Sequence, residues 1–166
     1  MGNKKGFTLV ELLAVIVILA VIILIAINAV LPQMERARKN AFADEVMNYA
    51  KAAETKYVTD AQEDDTTGDI SAGICYNLSE LHGEYVSKND DKYTGIVIIV
   101  KRGDSNLYDK YAFIKSSKYH FNTPMETTNN KTEPTKPVQK LTQKDISDGG
   151  NNLTYANCEA WNHRND

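Results

Sequence analysis

A single carboxylate, Glu11, stands at the edge of an unbroken apolar run from Leu12 to Ile27. Inside a membrane-spanning stretch a charge of this kind costs at least about 2.5–3.5 kcal/mol unless something compensates it. Either Glu11 sits near the interface and reaches toward headgroups, or it has a cationic partner. The other chemically able residues form no catalytic constellation. Cys75 and Cys158 are the only cysteines, and no Cys-x-x-Cys spacing is present. In an oxidising compartment they form a disulfide that staples the C-terminal tail to the region after residue 69, adding a few kcal/mol; the alternative is two buried free thiols. His82, His120 and His163 have no ligand spacing that proposes a metal, and none is expected. There is no nucleophile elbow, P-loop or His-Glu-x-x-His, so neither an enzyme nor a cofactor is expected. Asp60–Asp69 is acidic but lacks the alternating ligands and turn glycine of a calcium loop, and reads as a solvated loop. Glycosylation sequons begin at Asn77, Asn130 and Asn152, a number that chance alone supplies in a chain rich in Asn and Thr.

The elements that position these residues follow from where the apolar side chains lie. Hydrophobic residues make up 42% of the 166, yet residues 7–31 hold 22 of them in 25 positions. Twenty-five helical residues reach roughly 37 Å, enough to cross a hydrocarbon core of about 30 Å. In lipid the backbone must satisfy itself, so even an Ile- and Val-rich stretch becomes helix. Beyond Leu31 the pattern turns periodic: Met34, Ala37, Ala41, Val46, Tyr49, Ala53 and Tyr57 trace one helical face. One helix from about Phe7 to Val58 is the economical reading, with Pro32 loosening it where the halves meet. Thr94–Val100 is β-branched on both faces and reads as a central strand covered on one side by that helix. Leu107–Lys115 and Lys118–Asn122 follow as antiparallel partners. Residues 123–137 read as an irregular loop, Thr142-x-x-Asp145 as the cap of a short turn, and Leu153–Trp161 as a tail packed on the domain. The fold class is therefore α+β: a long N-terminal helix, half transmembrane and half amphipathic, packed on a small antiparallel sheet of three or more strands.

A secretory signal peptide is a poor fit, because the apolar stretch is too long and Ala26-Ile27-Asn28-Ala29 supplies no Ala-x-Ala cleavage site. The segment Lys4-Lys5-Gly6-Phe7-Thr8-Leu9-Val10-Glu11, with the apolar run after it, closely resembles the processing site of type IV pilins and pseudopilins. The resemblance covers about residues 4–31. It implies a leader, residues 1–6, removed by prepilin peptidase between Gly6 and Phe7, and N-methylphenylalanine at Phe7 as the first mature residue. It makes Glu11 the family's assembly glutamate, paired with the new amine of its own or a neighbouring chain. The glycine suits a protease cleft because, lacking Cβ, it lets the chain lie extended.

The domain plan is then leader 1–6, transmembrane and assembly half 7–31, amphipathic half 32–58, and globular head 59–166, the pilin fold. The family's helix-breaking proline stands where this chain has Asn28; here Pro32 comes four residues later. Lys4 and Lys5 before the span are matched by Arg36, Arg38 and Lys39 after it, so an inside amino terminus rests on the resemblance rather than on charge.

The implied function is a structural subunit, a major pilin, of a type IV pilus used for adhesion, twitching motility or related roles. The alternatives are a pseudopilin of a secretion or DNA-uptake machine, or a minor pilin or membrane-tethered binding module. Its partners would be copies of itself in a helical filament, prepilin peptidase, the assembly platform and its ATPase machinery, and membrane lipid before assembly. It would wait in the cytoplasmic membrane as prepilin and then reach the cell-surface pilus. Nucleic acid is not expected as a partner, since the formal charge is −3. Residues 60–91 carry nine acids and one lysine, and residues 115–144 six lysines and two acids. These surfaces are simply solvated, or they meet between neighbouring subunits in a salt-screened contact.

Overall fold

The computed structural model describes residues 6–63, 73–81, 93–102, 107–128, 131–139, 141–150 and 153–162. The chain divides into two compact units, residues 1–38 and 39–166. The first helix, α1, spans Leu9–Glu63, with Pro32 inside it, and so belongs to both.

In the first unit none of the described residues covers the helix. Every residue from Gly6 to Met34 is exposed, including the long series of Leu, Ile and Val side chains from Leu9 to Leu31. The helix is long and apolar enough to cross a membrane. Apolar side chains left in water at this density require lipid or other protein against them.

The second unit has a core on each face of a sheet. Phe42, Val46, Tyr49, Ala50, Ala53 and Tyr57 are buried at helical spacing, which gives α1 one apolar face here. That face begins at Phe42 and Ala43. Met34, Ala37 and Ala41, assigned to the same stripe from periodicity, are exposed, and the first two belong to the other unit. The helix also runs on to Glu63, so the acidic segment expected as a loop from Asp60 starts inside it. Its remainder lies outside the described residues.

The sheet contains β1 (Ile74–Asn77), β2 (Thr94–Lys101), β3 (Tyr108–Lys115), β4 (Tyr119–Asn122) and β7 (Ser147–Asp148), in the order β1-β2-β3-β4-β7 and antiparallel throughout. β2 alternates between two interiors. Val97 and Ile99 join the α1 side, with Ala112, Ile114, Tyr119 and Phe121. Ile96 and Ile98 join Phe113 and Trp161 on the other. Gly95 has φ +140° because β3 passes so near that a Cβ there would lie 1.9 Å from the Phe113 carbonyl oxygen.

Residues 123–137 are not an irregular loop. They form a hairpin, β5 (Met125–Thr128) and β6 (Lys131–Pro134), as a separate two-stranded sheet. Thr123 ends the main ladder before it: its buried hydroxyl accepts from the Ala112 N–H at 2.9 Å and donates to the Ala112 carbonyl at 3.0 Å. The chain returns alongside β3, where the Val138 N–H bonds the Lys110 carbonyl.

From Leu141 onward the C-terminal segment wraps the sheet. Leu141 and Ile146 pack on the α1 side. The Gln143 N–H bonds Asn40 Oδ1 at 3.2 Å, and Lys39 pairs with Asp148 at 2.9 Å. Past β7 the segment crosses to the opposite face, where Leu153, Tyr155 and Trp161 cover Ile96, Ile98 and Phe113. It ends in a short helix, α2 (Cys158–Asn162), whose Cys158 is bonded to Cys75 on β1.

Candidate processing and assembly site

Gly6, Phe7 and Thr8 precede the helix in non-helical conformation, and Phe7 is 84% exposed. The Gly6–Phe7 bond therefore lies outside the helix and is exposed. A Cβ at Gly6 would meet nothing within 4 Å, so this chain's own fold does not require glycine there.

The helix starts at Leu9 because Thr8 and Glu11 cap it. The Thr8 N–H donates to Glu11 Oε2 at 2.9 Å and the Thr8 hydroxyl donates to the same oxygen at 2.8 Å. In return the Glu11 N–H donates to Thr8 Oγ1 at 3.3 Å, and the Thr8 carbonyl accepts the first helical bond, from Leu12. This is a capping box: two amides that the helix cannot satisfy internally find side-chain oxygens. It also places the Glu11 charge at the helix's positive end. The structure thus joins Glu11 to Thr8 in the chain that still carries residues 1–6. Sequence reasoning took Glu11 as a charge in need of an amine and passed over Thr8, although Thr-x-x-Glu before an apolar run is a capping signature.

Past Glu11 the apolar half holds one further polar side chain before Pro32, that of Asn28. Its amide donates to the Leu24 carbonyl at 3.4 Å.

The remaining residues singled out from sequence serve the head. Cys75 and Cys158 lie on two different elements with Cα atoms 5.6 Å apart and are joined as a disulfide. Asn77 is engaged on both sides: its amide donates to Glu80 at 2.7 Å and its carbonyl oxygen accepts from the Cys158 N–H at 3.1 Å. Asn130, Asn152, His82 and His163 lie outside the described residues. His120 contacts the Gly149 carbonyl oxygen through Nδ1. No group of three or more possible metal ligands occurs among the described residues. Thr142 and Asp145 form a second capping box, on a 3₁₀ turn at Gln143–Asp145, and the bond from the Thr142 N–H holds the Asp145 carboxyl below its ordinary value. Burial, then the nearby Asp60 carboxylate, pushes the Tyr76 phenol up to about 12.

Residues 1–27 match the family model of the prokaryotic N-terminal methylation motif, the class III signal peptide of type IV pilins. That match supports a subunit of the type IV pilin or pseudopilin kind. No curated protein and no solved structure matches the chain.

Proposed function

We propose, from this methylation motif together with the exposed apolar half of α1, that the chain is the prepilin of a filament subunit, a major pilin of a type IV pilus. The observation that carries the reading is the combination at the amino terminus. An exposed Gly6–Phe7 bond outside the helix precedes a capped helix whose apolar half has no cover among the described residues. Prepilin peptidase removes residues 1–6 and methylates the new amine at Phe7. The leader takes away Lys4 and Lys5 and no acid. The freed amine is a cation four residues before Glu11, whose carboxylate is already oriented by Thr8. Residues 7–31 rest in the cytoplasmic membrane and then pack against the same segment of other copies, a transfer that keeps their surface out of water throughout. Residues 32–58 and the head carry the outer layer of the filament, with the disulfide closing the head. The role is structural, without catalysis.

The support for a surface pilus rather than a short pseudopilus is the head's polar periphery, including the exposed β5–β6 hairpin, which an outer face tolerates. The test is to shear filaments from cells that make the chain and to weigh the fibres and membranes separately by mass spectrometry. A major pilin dominates the sheared fraction as a chain beginning at N-methyl-Phe7. An unprocessed amino terminus sinks the reading outright. A processed chain absent from sheared fibres moves it to the pseudopilins.

A further inference from the structure

Among the 25 residues of the assembly half, Asn28 is the one whose chemistry is not used by processing or capping. It is exposed, and between Glu11 and Pro32 every other side chain is apolar. Its amide makes a long contact, 3.4 Å, to the Leu24 carbonyl. In an α-helix that carbonyl already accepts from the Asn28 backbone N–H, so the side chain has a second-rate partner. Four residues on, Pro32 has no N–H, so the Asn28 carbonyl lacks its ordinary helical donor. One turn of helix therefore offers both an underused amide donor and a carbonyl without its ladder partner.

We propose that the Asn28–Pro32 turn is a polar contact between neighbouring copies of this chain. The Asn28 amide leaves the Leu24 carbonyl and bonds across to a second copy, with the Asn28 carbonyl that Pro32 leaves undonated as the acceptor. The inference rests on the filament reading above and deepens it. Depth in the membrane favours assembly over premature pairing. Asn28 is nine residues beyond the midpoint of residues 7–31, or about 13 Å, at the edge of a hydrocarbon core about 30 Å thick. There, headgroups and water solvate the amide at little cost. When the helix leaves lipid for a bundle of helices, that solvation is replaced by protein, and a polar group enclosed among apolar side chains bonds across to a neighbour. Asn28 does not duplicate Glu11. Seventeen residues separate them, which turns Asn28 about 100° around the helix from Glu11 and sets it about 25 Å along the axis. Each therefore faces a different neighbour, and Asn28 supplies an independent check on register, as a lone Asn does in an apolar helical seam.

The test uses the full chain in cells that assemble it, as Asn28→Leu and Asn28→Gln beside the native form. The readouts are the ratio of subunit in sheared filaments to processed subunit in the membrane, and the detergent concentration that dissolves the filaments. A single amide bond between membrane helices changes association about threefold on average and about twentyfold at most. Asn28→Leu should leave insertion and processing intact and lower the filament ratio at least threefold, with filaments dissolving at lower detergent. Asn28→Gln, which keeps the amide, should restore most of both. Native filaments matched in yield and detergent resistance by Asn28→Leu overturn this inference alone. No filaments from the native chain overturn the filament reading itself, and this inference with it.

Discussion

Replacing both cysteines, Cys75→Ser with Cys158→Ser, should loosen the head in two distinguishable ways. The bond ties residues 83 apart, and the segment between them contains all of β2, β3, β4 and β7. In the chain-entropy account a closed loop of about 83 residues lowers the unfolded chain's entropy by about 15 cal/mol/K, or about 4.5 kcal/mol at 25 °C. That is the ceiling on the global loss, and about 2–4 kcal/mol is the usual outcome. The local effect is sharper. Beyond Gly150 the contacts of the described tail with the sheet include the hydrogen bonds from Thr154 N–H to Asn122 at 3.1 Å and from Cys158 N–H to Asn77, and the packing of Tyr155 and Trp161. Trp161 is the chain's one tryptophan and is 2% exposed, so its emission follows the seating of the tail on the sheet. The assay is urea unfolding of the full chain in mild detergent, followed in parallel by tryptophan emission and by far-ultraviolet circular dichroism. In the native chain the two transitions should coincide. In the double variant the emission should redden at lower urea than the loss of backbone signal, as the tail leaves Phe113 before the sheet opens. Coincident transitions, with a midpoint change equivalent to less than about 1 kcal/mol, would refute the stapled-tail account.

The capping box makes a separable pair of variants. Thr8→Ala should cost the helix start about 1 kcal/mol and leave Glu11 in place, with a modest drop in filament yield. Glu11→Ala should be processed and membrane-bound yet reduce sheared filaments at least about tenfold, the equivalent of one 1.4 kcal/mol contact; normal yield from it would sink the assembly role. Gly95→Ala should destabilise the head by at least about 2 kcal/mol in chemical unfolding, since the new methyl meets the β3 backbone and its φ is unfavourable. At high pH the unfolded chain loses the Tyr76 proton near its ordinary 10.0, while the folded head holds it to about 12. Stability from Tyr76 is thus full below pH 10 and falls as pH rises toward 12, a decline that Tyr76→Phe should flatten in thermal melts. The lowered Asp145 carboxyl acts with the opposite sign: its contribution is full above its ordinary 3.8 and is lost as pH falls through the lower folded value. Asp145→Asn should therefore narrow the gap in melting temperature between neutral and strongly acidic solution, and an unchanged gap would discard that role.

How much of this was legible in the chain depends on how local each signal is. The α+β plan and the central strands were readable, because Thr94–Val100 and Leu107–Lys115 combine β-branched and aromatic residues over enough length to rule out helix. The cap at Thr142–Asp145 was readable for the same reason, being a four-residue pattern. β1 was not, because Ile-Cys-Tyr-Asn is short and mixed and becomes a strand only by pairing with β2. The β5–β6 hairpin was hidden by composition. Its Thr, Asn, Lys and Pro resemble a loop, yet Thr is β-branched, Thr127 and Thr132 share a hydroxyl contact at 2.9 Å across the ladder, and Pro134 sits at the strand's end, where no ladder donor is missed. The Met34–Ala41 stripe failed because periodicity marks an apolar face without saying what covers it. The Thr8 cap was legible but overshadowed by the charge of its partner.

The two units place opposite demands on their surroundings, and the amino-terminal site belongs entirely to the first of them. The head closes its own core on both faces of the sheet, so it can reach its final form without a neighbour. The apolar half of α1 is exposed throughout among the described residues, so its stability belongs to whatever surrounds it. Removal of the leader touches none of the atoms in the Thr8–Glu11 box, since every bond in it runs between residues 8 and 12. Helix start and carboxylate orientation would thus be set before the proposed cleavage, which would change charge without rebuilding that geometry: Lys4 and Lys5 would leave and an amine would arise at Phe7, four residues before Glu11. A subunit built this way can be held in the membrane with its head complete and its contact residues preformed. In the proposed function, what processing would add is the cation that makes Glu11 cheaper to bury against another helix than to leave in lipid.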